Sequence, residues 1–294
     1  MRHIVLKEFT PSSAFEITPP HSYIDRTNGT LERLPVSVQT DSNGFIVTNR
    51  ISSPDDRVVL ILGGSSVESL YIPADKRINA VIERLLEYRA VPTRVLNGGV
   101  SDMHLLHAMN VLLNKGLAAG LDALVLFPTT SLDVLANETK GAFWQHSNHF
   151  LAPVRTSGAK TEEVKFVKEY ANAAGFRTER RLLMTLIDMC RNFDIDLTLA
   201  TWPIYEERDA FAQNFYPDRA SVGAENMQYR NLNNVIRECA AERNVRLLDL
   251  DHIFEGLLHA NYFYDWNHPN IRGCGFIGMH TSIALLEALA KIKQ

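Results

Sequence analysis

The stretch Val58–Tyr71, VVLILGGSSVESLY, decides the fold. Apolar β-formers from Val58 to Leu62 stop at Gly63-Gly64, and Ser65, Ser66 and Glu68 follow at once. A run that is apolar at every position, rather than at alternate ones, reads as a strand buried on both faces. The two glycines mark a tight turn at its end. A serine at that place has two readings. It caps the next helix, with Glu68 three residues on completing a capping box, or it is held up for chemistry.

Outward from this stretch the pattern repeats. Further short apolar runs are TRVLN (93–97), DALVLFP (122–128), DLTLATWP (196–203) and NVRLLDL (244–250). Between them lie helical periodicities at 74–89, 101–116, about 178–193 and about 226–243, and a last one closes the chain from Gly275. Ser101 or Asp102 is the expected N-cap of the second. Strands alternating with helices predict an α/β fold, a doubly wound, flavodoxin-like parallel sheet of about five strands. The first 56 residues depart from this pattern. They are strand-like and turn-rich, and Asn43-Gly44 between apolar runs is a hairpin signal. The expected organisation is a β-rich N-terminal extension (1–56) packed on an α/β body (57–294), with loop insertions at about 135–160 and 202–225. Both insertions follow strand ends, where doubly wound proteins build their sites.

Composition narrows the function. Thirty basic and 34 acidic residues give a net charge of -4 with no basic stripe, which argues against nucleic acid as a partner. Cys190, Cys239 and Cys274 are odd in number and far apart and show neither a disulfide framework nor a metal pattern; two of them sit in helix-like apolar patterns and read as small buried hydrophobes. There is no signal-peptide core and no apolar run of membrane-spanning length, so a cytoplasmic location without membrane attachment is expected of the chain as it stands. The oligomeric state is not readable. His104 and His107, and likewise His146 and His149, are spaced to share a metal but lack an evident third ligand.

GGSSVES is neither a dinucleotide fingerprint nor a P-loop. Nor is it the G-x-S-x-G elbow of α/β-hydrolases, because Val67 stands where the last glycine belongs. The decisive partner is distant. In YFYDWNHPNIRG (262–273), Asp265 and His268 lie three residues apart before the last helix. A serine needs a base to take its proton, and the base needs a partner that fixes its tautomer. Asp265 and His268 can supply both, with Ser65 as nucleophile and Ser66 as the fallback.

These blocks resemble those of the SGNH (GDSL-like) hydrolase superfamily. Gly63-Gly64-Ser65 is similar to its nucleophile block in a G-G-S variant, VLNGGVSD (95–102) to its second block, and DWNHPN (265–270) to its last. The resemblance spans about residues 36–135 and 240–294. It implies a triad of Ser65, His268 and Asp265, with an oxyanion hole from the N–H groups of Ser65 and Gly99. The third block departs from the pattern. VLFPTTSLD (125–133) has Thr129 in place of a glycine and Ser131 in place of an asparagine, leaving Ser131, Thr130 or Asn97 as substitute donors.

The resemblance implies acyl-enzyme chemistry with no metal or organic cofactor. The expected activity is removal of a small acyl group, O-acetyl first, from a carbohydrate or other small ester. Two alternatives stand beside it: a carbohydrate O-acyltransferase using the same triad, and a non-catalytic binding protein with a degenerate site. Trp144, Trp202, Trp266 and Arg272 are the candidate substrate contacts.

Overall fold

The computed structural model describes residues 4–6, 8–101, 103–128, 154–156, 176–205 and 222–291. At its centre is a five-stranded parallel sheet built from β4 (Arg57–Leu62), β5 (Thr93–Asn97), β6 (Ala123–Leu126), β8 (Asp196–Ala200) and β9 (Arg246–Leu248). Their spatial order is β5-β4-β6-β8-β9, the flavodoxin-like arrangement that the sequence predicts. The order in which strands are added reverses at β4, which pairs in parallel with β5 on one side and β6 on the other.

The all-apolar character of β4 has its cause in two cores. Leu60 and Leu62 face one of them, with Leu96, Leu124, Leu126 and the helices α4 (Leu105–Val111), α5 (Arg177–Asn192) and α6 (Val222–Glu242). Val59 and Ile61 face the other, with Val95, Val125 and the helices α3 (Ile78–Tyr88) and α8 (Ile271–Lys291). Each of these side chains is fully buried, worth about 1.5–3 kcal/mol apiece. All three cysteines are buried and free.

The extension contributes β1 (Ile4–Leu6), the antiparallel pair β2 (Ala14–Ile17) and β3 (Val36–Gln39), and the short helix α1 (His21–Ile24). β1 pairs with β7 (Val154–Thr156). The hairpin expected at Asn43-Gly44 is a turn with a single bridge, Thr40 to Ile46. Gly44 supplies its positive φ of 77°, and the Asp41 carboxylate accepts the N–H groups of Asn43 and Phe45. The chain folds back across the turn, the Val47 N–H donating to Gln39 O at 3.0 Å, and Ile46 also pairs with Asn97, which lays the returning arm along the edge of β5.

The second helical pattern also starts later than expected. Its N-cap is His104, whose Nδ1 accepts the His107 N–H at 3.3 Å, and both histidines are buried rather than solvated. A short helix α7 (Leu250–Ile253), capped by Asp249, follows β9. Among the described residues no helix is long and apolar enough to cross a membrane.

Candidate active site

β4 delivers the nucleophile block to the C-terminal edge of the sheet. The loops on either side extend the ladder past the strands: Gly98 N–H donates to Ile61 O at 2.9 Å, Phe127 N–H to Leu62 O at 2.8 Å and Val100 N–H to Gly63 O at 3.1 Å. Braced in this way, Gly63-Gly64 turns into α2 (Ser65–Glu68). The capping box is not formed. Gly64 is the N-cap without a side-chain cap, Ser65 is the first helical residue, and Glu68 is buried against the Ser101 hydroxyl. The Ser65 hydroxyl is therefore not consumed by capping.

The DWNHPN segment closes on itself and presents His268. Tyr264 N–H donates to His268 O at 3.0 Å and Asn270 N–H to Tyr262 O at 2.9 Å. Asn270 then caps α8, its Oδ1 accepting the Gly273 N–H at 3.0 Å. Within this tight loop Asp265 is buried, and its Oδ1 accepts the N–H groups of Asn267 and His268 at 2.8 and 2.7 Å.

His268 Nδ1 lies 2.7 Å from Asp265 Oδ2, and His268 Nε2 lies 2.8 Å from Ser65 Oγ. A carboxylate oxygen can only accept, so Nδ1 carries the proton and Nε2 is left as the acceptor of the serine O–H. Burial pushes the Asp265 carboxyl up. The His268 ring and the two backbone donors outweigh that push and hold it below the ordinary carboxylate value. These atoms can take a proton from Ser65, hold it on an imidazolium and return it to a leaving group.

The other candidates divide. Gly99 lies against α2, but its N–H donates to Asn97 Oδ1 at 2.8 Å, and Asn97 Nδ2 donates to Val67 O at 2.9 Å. Neither of these donors, expected in the oxyanion hole, is turned into it. Asn97 instead ties the second loop to the nucleophile helix. The N–H groups of Val67 and Glu68 are spent on Gly64 O. At the first position of α2, the Ser65 N–H has no intrahelical acceptor and is available to an oxyanion.

Trp266 is half-buried, its ring 6.0 Å from that of His268 and nearly perpendicular to it, so it can form a wall of the site. Arg272 is exposed, its guanidinium over the Tyr262 ring at 4.7 Å. Trp202 needs correction as a substrate contact. It is 3% exposed and packs edge-on between Phe127 and Phe263 in the core beneath the site. Thr130, Ser131, Trp144, His146 and His149, and most of both insertions, lie outside the described residues.

Sequence reasoning missed three contributors. Tyr23, from α1, donates to Asp265 Oδ2 at 2.8 Å. Tyr205 donates to the Asp265 carbonyl at 3.1 Å. Asn267 Nδ2 donates to Ser66 Oγ at 2.7 Å, which fixes the fallback nucleophile as a structural partner. Asn267 sits inside the motif already singled out, whereas no sequence signal marks Tyr23.

Solved structures with this architecture were found. An acetyl xylan esterase, AlAXEase, superposes with a TM-score of 0.52 at 15% identity, covering 78% of this chain and 99% of that one. LAE5, an α/β hydrolase enzyme from the metagenome of Lake Arreo, superposes with a TM-score of 0.50 at 14% identity, covering 80% and 95%. The likeness is one of α/β architecture, a parallel sheet flanked by helices. A putative lipolytic protein of the G-D-S-L family from Desulfitobacterium hafniense also matches, with a TM-score of 0.49 at 14% identity over 78% and 99% of the two chains. No family model matches the sequence, and no curated protein matches it.

Proposed function

We propose that the protein is a serine esterase that removes a small acyl group through an acyl-enzyme on Ser65. The observation that supports this most is the unbroken relay from Asp265 Oδ2 through both nitrogens of His268 to Ser65 Oγ, with 2.7 and 2.8 Å links. In this reading His268 Nε2 takes the hydroxyl proton as Oγ adds to the ester carbonyl carbon. The oxyanion is met by the Ser65 N–H, and the imidazolium returns the proton to the departing alkoxide. Water then enters, gives a proton to Nε2 and attacks the acyl carbon. The collapsing intermediate releases the acid and restores the Ser65 hydroxyl.

The third-block candidates Thr130 and Ser131 lie outside the described residues. Losing one oxyanion donor costs about 10²–10³ in kcat elsewhere, so without a hydroxyl from that block turnover of unactivated esters is expected to be slow. An acetyl xylan esterase shares the fold, which makes O-acetylated carbohydrate the substrate to try first, with Trp266 as a stacking face.

The test is hydrolysis of p-nitrophenyl acetate and butyrate by wild type and Ser65→Ala, with circular dichroism to match their folds. Activity lost only with Ser65 supports the reading. Equal activity in both proteins overturns it. If wild type reacts covalently with a fluorophosphonate yet turns over only when a sugar acceptor is present, the product is a transferred acyl group and the enzyme is an O-acyltransferase on the same triad. A folded wild type inert to the probe supports a binding protein instead.

A further inference from the structure

Asp265 carries more donors than are needed to orient one imidazole. Its Oδ1 takes two backbone N–H groups, and its Oδ2 takes both the His268 Nδ1 proton and the hydroxyl of Tyr23 at 2.8 Å. Tyr23 comes from the other end of the chain, 242 positions away. Its hydroxyl also lies 3.4 Å from His268 Nδ1, so it stands at the shared edge of the acid and the base.

The arrangement is built rather than incidental. The Tyr23 ring is held between Tyr71, at 5.3 Å, and Tyr264, at 6.3 Å. Just beyond α1, Asn28 donates its side-chain amide to Phe263 O at 2.8 Å, and its backbone N–H to Tyr264 O at 3.0 Å. Thr30 receives the Asn270 amide at 3.1 Å. The extension is thus pinned to the catalytic segment within a few residues after the tyrosine.

We infer that Tyr23 is a positioning residue for the catalytic pair: its hydroxyl fixes the Asp265 carboxylate from the N-terminal extension and sets the basicity of His268. The inference rests on the esterase reading above.

A carboxylate oxygen has two lone pairs, and here one meets the imidazole and the other the phenol. Each donor withdraws charge from that oxygen and restrains rotation of the carboxylate. The phenol can serve as a donor throughout the working range, because burial and the Asp265 charge push its pKa far above the ordinary tyrosine value. The titratable groups around the pair are Tyr264 of the same segment, which hydrogen-bonds to Tyr23 and has the Cys274 thiol beside it, Tyr71 beyond α2 with Glu68 near it, and Tyr205, bonded to the Asp265 carbonyl and stacked on His259. The tyrosines do not ordinarily ionise between about pH 5 and 9, and burial pushes the Cys274 thiol up to about 12. Of the groups in direct contact with the Tyr23 hydroxyl, the Asp265–His268 pair is the one that changes charge in that range.

The sign follows from the charge. Without the Tyr23 hydroxyl, Oδ2 keeps more negative charge toward the imidazole, which favours the imidazolium, so His268 holds its proton to higher pH. The carboxylate also loses one of its four side-on restraints, which slows proton transfer without touching substrate.

The experiment is Tyr23→Phe in the full chain, which keeps the ring and its packing. Activity on p-nitrophenyl acetate is followed from about pH 5 to 9, and the His268 ring protons are titrated by NMR, assigned with His268→Gln. The expected result is a kcat about 5–30-fold lower with KM nearly unchanged. The acid limb of kcat/KM and the His268 titration should both move up by about half a pH unit. An unmoved His268 titration overturns the inference, whatever happens to kcat, because a packing role does not alter the base. Wild type without Ser65-dependent turnover overturns the esterase reading alone, and the NMR titration still decides the role of Tyr23.

Discussion

Ser65 Oγ and His268 Nε2 stand 2.8 Å apart although 203 positions separate them in the chain. The contact joins the turn after the central strand to the loop before the last helix, so it exists only when the whole sheet has closed. If it is a catalytic contact, its third member should behave accordingly. Asp265→Asn keeps an oxygen for the two backbone donors but offers an amide N–H to His268 Nδ1, which inverts the tautomer. We expect kcat to fall by about 10²–10⁴, with the far-ultraviolet spectrum unchanged. A pH dependence of stability should change as well. The carboxyl is held below its ordinary value in the folded protein, so its stabilising share is complete above about pH 4 and is lost as the pH falls through the folded pKa. Asp265→Asn should flatten that acid limb of the melting temperature. A variant that keeps wild-type turnover would remove the aspartate from the mechanism.

Ser66 tests the assignment of the nucleophile. It is buried and its Oγ accepts the Asn267 amide at 2.7 Å, so its hydroxyl serves the loop that carries His268. Ser66→Ala should retain fluorophosphonate labelling on Ser65, with a loss in kcat below about 10-fold from the slackened loop. Peptide mapping of the labelled protein decides the point. A label found on Ser66 rather than Ser65 in wild type would exchange their roles.

Gly99 has a steric duty that its engaged N–H does not reveal. A Cβ there would lie 2.5 Å from the Glu68 nitrogen and 2.9 Å from the Val67 carbonyl carbon. Both are backbone atoms of the helix that begins with Ser65, so they cannot rotate away. Gly99→Ala should cost about 1–3 kcal/mol of stability and, by displacing α2, lower kcat at least about 10-fold. Gly275 is the control: it lies inside α8, and a Cβ there would meet nothing within 4 Å. Gly275→Ala should raise the melting temperature slightly, by helix propensity. Equal melting temperatures for Gly99→Ala and wild type would remove the close approach as a constraint.

Much of this was legible in the sequence because it is carried by patterns of short range. An apolar run at every position leaves no solvent face for β4, and helical periodicity between such runs leaves few alternatives to a doubly wound sheet. Asp265 and His268 are legible as a pair because three residues span one turn. What was not legible depends on side chains meeting across the fold. Asn97 was a candidate oxyanion donor, yet its amide oxygen lies where it takes the Gly99 N–H and its amide nitrogen where it reaches Val67 O. Trp202 ends a strand as a surface aromatic would, but Phe127 and Phe263 close over it. Tyr23 sits in an extension with no motif, and its partner is fixed by the docking of α1 and by nothing within its own neighbourhood.

Glu179 supplies a prediction that is independent of catalysis. It lies in the first turn of α5, is 1% exposed, and neither carboxylate oxygen has a hydrogen-bond partner among the described residues. Burial pushes its carboxyl up from the ordinary value of 4.5 to about 7. Below about pH 4.5 both folded and unfolded chains carry the proton, and the group has no effect on the balance. Between these values the unfolded chain releases the proton while the folded chain keeps it, so stability declines as pH rises. Above about pH 7 the folded chain holds a buried charge with no side-chain partner among the described residues, and the loss levels off. Glu179→Gln removes the charge and keeps the shape. Denaturant unfolding should find it close to wild type near pH 5 and more stable by about 2–3 kcal/mol near pH 8. A difference that stays the same at both pH values would mean that the carboxyl finds water or a partner in solution, and that α5 is not strained at its start.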